Sequence, residues 1–161
     1  MIFFNHLGDE MGGLIFGENG GKGHFGILTF DKVRNDQTIG FQHLESDNGD
    51  YTTGLAMWHR PNLPSDVVNA KYKAANGITD ATAKKAAIQA MIDNNELSTQ
   101  RLFLGKVRDN TTLLVMSDIK GKARIRMMVK ADGSPKLDFL DEAGKVTYSL
   151  PEENRSGKNH E

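Results

Sequence analysis

The motif Asn/Asp-x-x-Gly recurs at Asn5, Asp118 and Asp141, each time between runs of apolar or alternating residues. An Asx side chain at the first turn position accepts a backbone N–H two residues on. The next two residues take type I geometry, and the glycine supplies the positive φ that lets the returning strand re-enter with a bulge. Each copy fixes strand register locally, so the expected unit is the antiparallel hairpin. Calcium loops need several oxygens at closer spacing than one Asp per turn. These Asp residues therefore read as turn builders, which removes them from the catalytic candidates.

Three zones follow from the pattern. The first reads as five short strands at 1–4, 13–16, 25–30, 38–44 and 51–58, separated by Asn5-His6-Leu7-Gly8, Glu18-Asn19-Gly20-Gly21 and Asp47-Asn48-Gly49. The third reads as five more, at 101–107, 111–116, 123–129, 136–140 and 146–150. In it, Ile125, Met127 and Val129 share one face and Arg124 and Arg126 the other. Leu137 and Phe139 oppose Lys136 and Asp138 in the same way, which predicts a half-solvated antiparallel sheet with Asp138 across from Arg124 or Arg126. The middle zone, about 63–98, reads as a helical hairpin. Ser65 is the expected N-cap of its first helix and Gly77 the C′ residue, with Thr79 or Asp80 capping a second helix through about Asn94. Its apolar stripe is thin (Ala81, Ile88, Met91, Ile92), so one-sided packing is expected, covering an edge or one face of the sheet. The fold class is thus mainly β: hairpins and meanders in two halves, sandwich or barrel-like, with a helical hairpin insertion. Residues 1–150 form one domain and the polar stretch 151–161 a flexible tail.

A chain of 161 residues with net charge −1 and 38% hydrophobic residues is ordinary for a soluble domain. No run approaches the roughly 18–20 apolar residues of a membrane-spanning helix, and the start has no basic segment of a signal peptide. Opening inside a strand suggests that an upstream segment is missing or that the start was trimmed. The absence of cysteine excludes disulfides, thiolate nucleophiles and cysteine zinc sites, and leaves the compartment undetermined. Charge is uneven: residues 1–62 hold eight acidic and four basic side chains, residues 101–150 six acidic and ten basic. The two parts attract each other within one fold, or the second presents a basic face to an anionic partner. Nucleic-acid binders usually carry a larger excess of Lys and Arg.

Several strings resemble chemistry and fail in context. Gly21-Lys22-Gly23-His24-Phe25-Gly26 matches G-x-G-x-x-G, but the strand-like Ile27-Leu28-Thr29-Phe30 follows where a dinucleotide site needs a helix N-terminus. Gly17 to Lys22 is one residue short of a phosphate loop, and Gly23 replaces its Ser or Thr. His6, His24, His43, His59 and His160 lack metal-ligand spacing, although strands could bring them together with Glu10, Asp31 or Asp36. No catalytic, cofactor or metal residue is assigned. Trp58-His59-Arg60-Pro61 closes the first zone. Trp58 and Arg60 are candidate partner anchors, since Trp and Arg dominate interface hot spots, or Trp58 caps the core. Arg124 and Arg126 are the candidates for the basic face. Asn110-Thr111-Thr112 and Asn154-Arg155-Ser156 match the glycosylation sequon, which matters only in a secretory host.

The strings Ile2-Phe3-Phe4-Asn5, Gly8-Asp9-Glu10, 12–16, Leu28-Thr29-Phe30-Asp31, Asp36-Gln37 and Arg60-Pro61 resemble the N-terminal half of a group of uncharacterised bacterial β-rich proteins, a domain of unknown function. The run from Asp118-Ile119-Lys120-Gly121-Lys122 through Leu140-Asp141-Glu142-Ala143-Gly144-Lys145 is similar to the group's C-terminal half. Most of 1–150 is covered, with a departure at His59, where the group is expected to carry an acidic residue. The resemblance implies no activity, and it implies that an N-terminal extension is common.

The leading expectation is a non-catalytic β module with a binding or assembly role, through a protein partner or self-association. The alternatives are a metal-dependent enzyme using strand-borne His and Asp/Glu, and a binder of an anionic partner through the basic strand face.

Overall fold

The structure, a computed structural model, describes residues 1–18 and 20–152. The turn position Asn19, the sequon at Asn154, His160 and the tail from 153 on lie outside the described residues. The elements are β1 (Ile2–Phe4), β2 (Glu10–Glu18), β3 (His24–Asp31), β4 (Gln37–Glu45), β5 (Tyr51–His59), α1 (Ser65–Asn76), α2 (Ala81–Asp93), β6 (Thr99–Lys106), β7 (Thr112–Ser117), β8 (Ala123–Val129), β9 (Pro135–Leu140) and β10 (Val146–Leu150). All ten strands form one antiparallel sheet in sequence order, and β1 does not meet β10, so the sheet is not closed into a barrel.

The turns impose this order. At 5–9, 32–36, 46–50, 107–111, 118–122, 130–134 and 141–145 the same two backbone bonds close the loop: the first residue's N–H donates to the fifth residue's carbonyl, and the fourth residue's N–H to the first residue's carbonyl. Asn5, Asp118 and Asp141 add the expected side-chain lock, each accepting the N–H groups two and four residues on at 2.9–3.0 Å. Their glycines, Gly8, Gly121 and Gly144, sit at φ near +80°. Asn110 fills that position with φ 64°, which Asn tolerates better than most side chains. Hairpins locked this tightly place each strand beside its predecessor.

The two expected halves, β1–β5 and β6–β10, join directly through the β5–β6 ladder, where Leu55 faces Leu104. They lie side by side in one layer rather than stacked as a sandwich. The helical hairpin leaves and re-enters the sheet between these two middle strands. Of the two expected placements, over an edge or over one sheet face, the edge is overturned: among the described residues neither edge strand, β1 or β10, has a helix packed against it. The helices pack on each other and bury Ala75 and Met91. Polar clasps tie them to the neighbouring turns. Lys32 Nζ donates to the Pro61 carbonyl at 2.9 Å, Asn35 Nδ2 to those of Pro61 and Leu63, and Lys120 bonds Asp93 at 3.1 Å.

Helix caps differ from expectation in two places. Asp80 caps α2 as expected, accepting from the Ala83 N–H at 2.7 Å. Ser65 is instead the first residue of α1, with Pro64 at the cap position, and its N–H donates to the Arg34 carbonyl. Gly77 ends α1 in right-handed geometry (φ −74°), because Asp80 starts α2 so soon after that no left-handed reversal is needed.

Candidate functional site

Register sorts the sheet into two faces. One carries the row Leu14, Leu28, Phe41, Leu55, Leu104, Leu114, Met127, Leu137 and Leu150, in which each residue stands opposite the next across successive ladders from β2 to β10. Beside it runs a second row from Phe3 and Gly12 through Phe30, Ile39, Met57, Leu102, Met116 and Ile125 to Phe139 and Tyr148. We call this the leucine face. A sheet face of this composition normally lies against a second layer. The described residues supply none: Phe41 is 56%, Met127 52%, Phe30 51% and Leu104 49% exposed. A shallow depression of about 320 Å³ opens between Phe16, Leu28 and Phe41.

The charges on this face sit at one margin. Glu18, His24, Glu45 and Tyr51 are aligned across β2 to β5. His43 Nε2 lies 3.3 Å from Glu45, and Lys106 Nζ sits 3.6 Å above the Tyr51 ring. The margin thus holds two carboxylates and one lysine, and the two rows themselves carry no formal charge.

The opposite face stabilises itself within one layer. Across β2 to β6 its positions are often glycine, and aromatic rings fold down over them. Gly54 faces Gly105, and the Phe103 ring covers both: a Cβ added at either would meet it at 3.0 and 2.8 Å. Phe25 covers Gly17 and the Trp58 ring lies over Gly40. These rings bury apolar area without a second layer, and such pairing offsets the weakness of glycine in strands. Ala56 and Phe103 are buried there. Across β8 to β10 this glycine face turns ionic, with Asp138 between Arg126 and Ser149.

The four residues expected on a partner surface are held by their own chain. Trp58 covers Gly40, as above, with the Arg60 guanidinium 6.0 Å from its ring. Arg60 donates to the Gln37 carbonyl at 2.5 Å and to its side-chain Oε1 at 3.1 Å, and pairs with Asp36 at 3.4 Å. Burial lowers its pKa, against the pull of Asp36 and Asp31. Arg124 pairs with Asp118 at 2.9 Å and Glu142 at 3.2 Å, and Arg126 with Asp138 at 3.2 Å. The basic strand face of the sequence is a set of ion pairs between neighbouring hairpins. Arg60, Asp36, Tyr72 and Ser98 line a cleft of about 350 Å³ beside α1.

The Gly21–Gly26 string runs from a turn into β3, so a strand follows it where a dinucleotide site needs a helix N-terminus. Among the described residues, no group of three or more His, Asp or Glu is placed to hold a metal ion. His6 is in the first turn, His24 begins β3, His43 is in β4 and His59 ends β5. The Asp31 carboxyl is pushed upward. Burial raises its pKa, the charges of Asp36 and Glu10 add to that, and its Oδ1 is buried with no hydrogen-bond partner. The Asp118 carboxyl moves the other way: burial alone would raise it, but the turn N–H groups of Lys122 and Lys120 and the Arg124 guanidinium hold it below its ordinary value.

Alternation reveals the leucine face in β8 and β9 alone. Its extent was missed because a run such as Gly-Leu-Ile-Phe is apolar on both faces, and only register shows which residues line up. Searches against protein-family models, curated proteins and solved structures find no match to this chain.

Proposed function

We propose that this chain is a non-catalytic assembly module whose working surface is the leucine face. The observation that carries the reading is the pair of uncharged apolar rows that cross the whole sheet and stay half-exposed. Exposed apolar patches beyond a few hundred Å² mark interaction surfaces. The glycine face supports the reading from the other side, since it folds its own rings down and pairs its own charges. An anion-binding role through Arg124 and Arg126 would have to displace Asp118, Glu142 and Asp138 from hydrogen-bonded pairs.

The test places charge on each face in turn. Met127→Glu on the leucine face and Gln42→Glu on the glycine face are compared with the parent for retention on a phenyl matrix and for size by light scattering. The parent and Gln42→Glu are expected to be retained or larger than a monomer. Met127→Glu is expected to lose both properties with an unchanged circular-dichroism spectrum. A parent that is monomeric and passes the matrix unretained would sink the reading.

A further inference from the structure

We infer that the leucine face is covered by a second copy of this chain, stacked face to face as a two-layer sandwich with twofold symmetry. The inference rests on the assembly reading and names its occupant.

Area is the first argument. Ten strands about 4.8 Å apart, with two rows about 6.8 Å apart along the strands, give a flat patch of roughly 650 Å². Phe16 and Val129, at the two ends of a third row whose middle is polar, add apolar area at its corners. A stable interface buries roughly 800 Å² on each partner, so one copy of the same face provides what this face lacks. A smaller apolar ligand would leave most of both rows wet.

Chemistry is the second argument. A twofold interface sets one patch against itself, so it must be self-complementary. A charged patch would repel its own image, whereas the two rows hold no formal charge. Sheets in a sandwich pack about 10 Å apart, filled by side chains from both inner faces. Phe, Leu and Met side chains standing off each sheet fill such a gap, and Met57, Met116 and Met127 adapt to an uneven one. The margin argues against an anionic bilayer as the occupant: Glu18 and Glu45 stand there against the single Lys106.

The geometry points to one position for the test. The centre of the sheet is the Leu55–Leu104 pair. Whether the twofold axis lies along the strands or across them, whole-face stacking brings this centre opposite its own image. The chain has no cysteine, so Leu104→Cys carries a single thiol. Leu113→Cys, on the adjacent strand and the opposite face, is its control.

Sedimentation equilibrium of the full chain at micromolar concentration is expected to give a dimer. A bis-maleimide with a reach of about 10 Å, matched to the sheet spacing, is expected to link Leu104→Cys into dimers and leave Leu113→Cys monomeric. Met127→Glu is expected to raise the dissociation constant at least about tenfold. Phe41→Glu repeats this test should Met127→Glu fail to fold. Equal cross-linking at both cysteines overturns the stacked geometry. A parent monomer that binds zwitterionic lipid vesicles or a phenyl matrix, with binding lost in Met127→Glu, overturns the second copy and leaves the assembly reading standing. A monomer that binds neither overturns both.

Discussion

Arg126 on β8 stands directly opposite Asp138 on β9, with Nη2 3.2 Å from Oδ2. Asp138 is only 1% exposed. Lys136 Nζ lies 3.4 Å from its other oxygen, which also accepts a hydrogen bond from Ser149. Burial alone would raise this carboxyl's pKa. The Ser149 bond and the charges of Lys136 and Arg126 outweigh burial and hold it below its ordinary value.

Removing this charge should loosen the C-terminal hairpins. Asp138→Asn leaves Arg126 and Lys136 facing a neutral group and is expected to cost about 1–3 kcal/mol in urea unfolding. The pH dependence has a definite sign. A carboxyl whose folded pKa lies below its unfolded value of about 3.9 contributes stability that is complete above that value. The contribution is lost as the pH falls from there through the folded pKa. Urea midpoints between pH 7 and pH 3 should therefore fall more steeply in the parent than in Asp138→Asn.

Asp31 has the opposite sign. Its pKa is raised in the fold by burial and by Asp36 and Glu10, so the folded state holds a proton that the unfolded state releases. Stability from this group falls as the pH rises from about 3.9 through the raised value. Asp31→Asn is expected to raise Tm by a few degrees at pH 7, and the gain should vanish below about pH 4. An Asp31→Asn protein that melts lower than the parent at pH 7 would refute this.

The Asx turns should rank by what else each carboxylate holds. Asp118 and Asp141 each accept two turn N–H groups, and Asp118 also bonds Arg124 at 2.9 Å. Asp141→Ala should cost about 1 kcal/mol and Asp118→Ala up to about 2 kcal/mol. Replacing Asn110 by Gly relieves a left-handed φ and should stabilise by a few tenths to about 1 kcal/mol. Chemical denaturation of the three variants gives the ranking.

The glycine face tolerates no added methyl group at its centre. A Cβ at Gly54 would overlap the Leu104 carbonyl oxygen and meet the Phe103 ring at 3.0 Å. Gly54→Ala is expected to destabilise by about 1–3 kcal/mol, while Gly133→Ser, with nothing near its Cβ, meets only the penalty of its positive φ. Thermal melts of the two variants would separate crowding from backbone strain.

Strands and turns were legible in the sequence because their signals are local. Asp118 needs only Lys120, Gly121 and Lys122 to define its turn, and β8 and β10 begin and end where alternation puts them. Gly12, at a register shift with φ 132°, hid the start of β2, since a glycine at a bulge reads as a turn residue. The absence of a second layer was not legible. Nothing in the alternation of β5 or β6 says that Leu55 will meet Leu104 rather than that the second half will fold back over the first. The insertion lies between the two halves as the sequence indicates, but the edge its thin apolar stripe could have covered is absent there, because the strands on either side of it pair with each other. Trp58, Arg60, Arg124 and Arg126 stood out in the sequence as candidates for a partner surface, and the contacts that hold them in the fold are with their own chain.

Sequential strand order also bears on how the sheet forms. Each hairpin but one joins strands across a short loop, so contact order is low and pairing can spread from neighbour to neighbour. The exception is β5–β6, whose ends are separated by the helical hairpin between His59 and Thr99. Closing that long segment instead of a five-residue turn costs about 2 kcal/mol more in chain entropy. The junction of the two meanders is thus the natural kinetic bottleneck of the sheet.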